Sequence, residues 1–93
     1  MTQILVSQRL VKQESYGEIR ACLDEAWGQF FDESGAIPVP LLSTTPAKAI
    51  WDTINPAALV LTGGNDLSRF SDDSLSRRRD DLERNHLEQA IAR

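Results

Sequence analysis

Two short apolar runs, Ile4-Leu5-Val6 and Ala57-Ala58-Leu59-Val60-Leu61, set the strongest limit on how this chain folds. Neither alternates polar with apolar residues, so each reads as a strand buried on both faces, the pattern of a parallel sheet covered by helices. The first, from Gln3 to Ser7, is expected at the centre of the sheet. The second, from Ala57 to Thr62, is expected in the interior too, and Gly63-Gly64 breaks it sharply.

The segments between and after these runs predict the rest. Ser15-x-x-Glu18 matches a capping box, and Ile19, Cys22, Leu23, Ala26, Trp27, Phe30 and Phe31 recur at helical spacing up to Gly35, which predicts a helix. Ile37 to Leu42 is extended, but Pro38 and Pro40 lack backbone donors, which places it at a sheet edge. Thr45-Pro46 begins a further helix that Asn55-Pro56 stops, with Ile50, Trp51 and Ile54 inward. Ser74 caps a long charged helix carrying Leu75, Leu82, Leu87, Ala90 and Ile91. The order β-α-β-α-β-α predicts an α/β fold: a three-layer, flavodoxin-like parallel sheet, its N-terminal half only, with residues 1–93 as a single partial domain. The third strand would then expose an unpaired edge, so a homodimer or a complementary half-domain is expected to cover it.

Composition narrows the function classes. Ten Lys and Arg against 14 Asp and Glu give a net charge of −4, which supplies no excess cation for a nucleic acid backbone. The few apolar residues before Gln8 and Arg9 are too short for a signal core or a membrane span, so a cytoplasmic address is expected. One cysteine, Cys22, and one histidine, His86, offer neither an internal disulfide nor a zinc ligand set. Neither a dinucleotide fingerprint nor a phosphate loop is present, and no cofactor or metal is expected.

Four features hold chemistry, each beside a plainer reading. Gly63-Gly64 lies at the carboxyl end of a strand, where open α/β sheets bind ligands, or it is simply a tight turn. The run Arg77-Arg78-Arg79-Asp80-Asp81-Leu82-Glu83-Arg84 reads as a solvated helix face with i, i+4 pairs such as Arg79–Glu83 or Asp80–Arg84, and Arg20–Asp24 is a similar pair. Arg9 follows the first strand, where a cation would hold an anionic group or be a surface arginine. Cys22, placed mid-helix on the apolar stripe, is expected to pack in the core rather than act as a nucleophile, and His86 to be a surface or packing residue.

Taken together, Ile4-Leu-Val-Ser-Gln-Arg9, the expected helix from Tyr16 to Trp27, Leu61-Thr-Gly-Gly-Asn-Asp66-Leu67 and the Arg79-Asp80-x-x-Glu83 helix resemble the class I glutamine amidotransferase-like superfamily. The pattern is most similar to its gamma-glutamyl hydrolase branch, especially the gamma-glutamyl-CDP-amidate hydrolases associated with phosphoramidate decoration of bacterial capsules. The resemblance implies a hydrolase in which Gly64 donates a backbone amide to the oxyanion hole and Gly63 permits the turn. It implies that Arg79 and Asp80, with Asn65 and Arg9, place a gamma-glutamyl small-molecule substrate or order the oxyanion loop. The family's Gly-x-Cys-x-Gly nucleophile elbow and its catalytic His and Glu have no counterpart in these residues. The chain is therefore expected to be inactive alone; the alternative is a noncatalytic binding or assembly module that docks with a complementary half.

Overall fold

The computed structural model describes residues 2–13, 17–62 and 74–93. Three parallel strands form the central sheet: β1 (Thr2–Val6) lies between β4 (Ala36–Pro40) and β5 (Ala58–Val60). The central position expected of the first run is borne out, and Leu5 and Val6 are both fully buried. Because neighbouring residues of a strand point to opposite faces, these two side chains seed two separate cores.

On one face Leu5 packs with Leu41, Trp51 and Leu82 beneath helices α2 (Ala47–Ile54) and α3 (Ser74–Ala92). On the other, Val6 packs with Phe31 and Ala36 beneath helix α1 (Ala26–Glu33), where Trp27, Phe30 and Phe31 also contact one another through their rings. The result is a helix–sheet–helix sandwich compatible with part of a flavodoxin-like fold.

Helix α2 ends as expected, at Asn55 in the left-handed conformation with its N–H donated to the Trp51 carbonyl, but it starts one residue late: Pro46 is its N-cap, in an extended conformation, and Thr45 makes no capping bond among the described residues. Trp51 is buried and Ile50 and Ile54 pack around it. In α3, Leu82 is buried and Ala90 joins the same core, but Leu87 and Ile91 are exposed, at 45% and 77%.

Strand β4 takes the predicted edge. The Leu41 N–H reaches the Val6 carbonyl, and alternation along the strand turns positions 38 and 40 away from β1. Both prolines therefore stand where a missing N–H breaks no ladder bond.

One predicted element is overturned. The stretch from Ser15 to Gly35 is not a single helix: β2 (Arg9–Gln13) and β3 (Glu18–Cys22) form an antiparallel hairpin, and α1 begins only at Ala26. Glu18-Ile19-Arg20-Ala21-Cys22 alternates polar with apolar residues, and Gly17 has a φ of 65°, a turn conformation that no helix interior accepts. Arg20 accordingly pairs with Glu18 at 3.3 Å rather than with Asp24. Asp24 instead accepts a 2.8 Å bond from the Ala26 N–H and opens α1. Cys22 ends β3 and is half-buried, neither mid-helix nor in the core.

Strand β5 is also shorter than the apolar run. Among the described residues it pairs with β1 alone, so it is an edge rather than an interior strand, with Leu61 beyond it 44% exposed.

Candidate functional site

The carboxyl ends of β1 and β5 point the same way, and the residues just past them, Ser7 and Thr62, are joined to each other and to α3. The Thr62 N–H donates to Ser7 Oγ at 2.9 Å, and the Thr62 hydroxyl donates to the Ser7 carbonyl at 2.8 Å. Ser7 Oγ donates in turn to Glu83 Oε2 at 2.6 Å. The other carboxylate oxygen, Oε1, receives Arg79 Nη1 at 2.9 Å, while Arg79 Nη2 reaches Asp80 Oδ1 at 3.0 Å.

A relay of donors and acceptors thus runs from the Thr62 amide through Ser7 and Glu83 to a guanidinium. Ser7 is fully buried and Arg79 only 3% exposed, so these charged hydrogen bonds form where water competes poorly. The first turns of α3 are held against the strand ends, and with them the residue that precedes Gly63.

This geometry corrects the solvated-face reading of the arginine run. Arg79 and Glu83 are an i, i+4 pair as the spacing predicts, but they point inward. Asp80 does not pair with Arg84; Arg84 pairs with Asp81 on the exposed side of the helix. Arg78 turns toward the loop after β4 and donates to Ser43 Oγ at 3.0 Å. Gln8, buried beside Ser7, donates its side-chain amide to the Leu41 carbonyl at 2.9 Å.

Of the residues read from the sequence as a site, Arg79 and Asp80 come together here. Arg9 opens β2, exposed, and joins none of these bonds. Gly63, Gly64 and Asn65 lie outside the described residues. Sequence reasoning missed Ser7 and Thr62, whose one distinguishing mark is that each closes an apolar run on the ligand side of the sheet.

His86 is a packing residue, 2% exposed, whose Nδ1 accepts the Trp51 indole proton at 3.0 Å. Burial holds its pKa below the ordinary 6.5. Among the described residues no group of His, Cys, Asp and Glu side chains is arranged to hold a metal ion, and no helix is long and apolar enough to cross a membrane.

No family model and no solved structure matches the chain. A curated protein does: the gamma-glutamyl-CDP-amidate hydrolase of Campylobacter jejuni is 36% identical over 86 residues, which cover 89% of this chain. The resemblance read from the strand-end and helix motifs is borne out by this relative. The chain is similar to a gamma-glutamyl-CDP-amidate hydrolase, and spans 42% of that protein's length.

Proposed function

We propose that these residues form part of a cysteine-dependent hydrolase that cleaves a gamma-glutamyl amide, with gamma-glutamyl-CDP-amidate as the substrate. The 36% identity to a protein named for that reaction carries the reading. In it, a thiolate attacks the gamma-glutamyl carbonyl and the Gly64 amide receives the developing oxyanion, while Gly63 allows the backbone to turn. The Thr62–Ser7–Glu83–Arg79 relay supports this assignment, because it fixes the backbone immediately before the glycine pair. Asp80 steadies the Arg79 guanidinium, and Asn65 and Arg9 are assigned to substrate binding.

The thiolate is not Cys22, which sits on the hairpin, and the 93 residues contain no other cysteine. Incubated alone with a gamma-glutamyl anilide or gamma-glutamyl-CDP-amidate, this chain is expected to release no glutamate. Release that disappears in Cys22→Ala overturns the reading. In a longer protein that joins this sequence to a Gly-x-Cys-x-Gly motif, Gly64→Val is expected to lower the catalytic rate by about a hundredfold while leaving the protein folded. A folded variant with normal turnover removes Gly64 from the oxyanion hole.

The edge of β5 favours a second reading, an assembly module that pairs with a complementary half. Under it, the chain binds such a half tightly and no combination of the two hydrolyses the amide.

A further inference from the structure

Past the carboxyl end of β4, a groove of about 270 Å³ opens between the start of α2 and the side of α3. Ser43, Thr44, Thr45, Leu82, Asn85 and His86 line it, and no carboxylate does. It is separate from the Ser7 relay but opens at the same carboxyl-end side of the sheet, where ligands of open α/β folds bind.

Two features of this groove, and an arginine beside it, favour a negative charge. Helix α2 begins there with no side chain capping it, so its first-turn amides direct their partial positive charge at the loop. His86 lines the groove although almost wholly buried, and its Nδ1 is committed to the Trp51 indole. The proton of the neutral ring is therefore on Nε2, the remaining donor of a side chain that lines the groove. Arg78 stands at the shoulder, bonded to Ser43 Oγ at 3.0 Å and ion-paired to no carboxylate among the described residues.

We propose that this groove binds a phosphate-type anion, held by the first-turn amides of α2, the hydroxyls of Ser43, Thr44 and Thr45 and the His86 Nε2–H, with Arg78 as the counter-charge. The arrangement does not depend on the gamma-glutamyl reading. A neutral imidazole donor and one arginine suit an anion that brings its own charge and accepts several hydrogen bonds at once.

The test is a titration of the isotope-labelled chain with inorganic phosphate and with CDP, followed by amide and imidazole NMR, with chloride at equal ionic strength as the control. Saturable shifts are expected at the amides of Thr45, Ala47 and Lys48 and at the His86 ring. Arg78→Gln, beside the groove through Ser43, and Thr45→Val, in its lining, should each weaken binding roughly tenfold, about 1.4 kcal/mol. Tighter binding of CDP than of phosphate assigns the anion to a nucleotide, and equal affinities assign it to free phosphate. The proposal is overturned if phosphate acts no differently from chloride, or if both folded variants bind as the parent does.

Discussion

At the scale of single residues, burial decides what a charge is worth. Arg79 and Arg84 are five positions apart on one helix and each pairs with a carboxylate, yet one pair is enclosed and the other is in water. Removing Arg79 leaves Glu83 partly enclosed and held, among the described residues, by Ser7, so Arg79→Ala is expected to cost about 3 kcal/mol of unfolding free energy. Arg84→Ala should cost under about 1 kcal/mol, because solvent already screens its pair. Urea denaturation of the two variants checks this contrast, and equal losses would place Arg79 in solvent. His86 gives the molecule a pH dependence. Its folded pKa lies below 6.5, so as the pH falls through about 6.5 the unfolded chain takes up a proton that the folded chain refuses, and stability drops. Above that pH the histidine has no effect. The slope below it reaches at most about 1.4 kcal/mol per pH unit. His86→Gln, which keeps an acceptor for Trp51, should flatten thermal stability between about pH 6.5 and 5.5, and an unchanged slope would assign the dependence to other groups.

At the scale of elements, the hairpin shows most clearly how local chemistry fixes structure. Gly17 has a positive φ and nothing within 4 Å of the place a Cβ would take, so Gly17→Ala meets conformational strain without a clash. A loss of about 1 kcal/mol is expected, measured by thermal unfolding, and a neutral substitution would mean that the turn relaxes. The same hairpin marks where sequence reading stopped. Strand β1 was legible from its unbroken apolar run, edge strand β4 from its prolines and helix α2 from its Asn-Pro stop. Between Ser15 and Gly35 two periods competed: a capping-box match, whose Ser15 lies outside the described residues, and apolar residues three or four apart argued for a helix, against a five-residue alternation and one glycine. The candidate site was legible at Arg79 and Asp80 through a motif. Its Ser7–Glu83 bond joins residues 76 apart in sequence, and no local pattern encodes such a contact.

At the scale of the whole molecule, the sheet has two dissimilar edges. Strand β5 offers backbone groups that pair with nothing among the described residues, beside the exposed side chain of Leu61. The chain is expected to self-associate through this edge at micromolar concentration, and Leu61→Lys should reverse it, as sedimentation velocity would show. A monomer in both proteins would mean that the edge is covered. The other edge belongs to β4, whose outward positions 38 and 40 are prolines with no proton to offer. Growth of this sheet is therefore expected to be one-ended: two copies that meet β5 to β5 would turn a proline border outward on each side, a poor place for a third copy to add. Association through β5 is then expected to end as a pair rather than to extend the sheet.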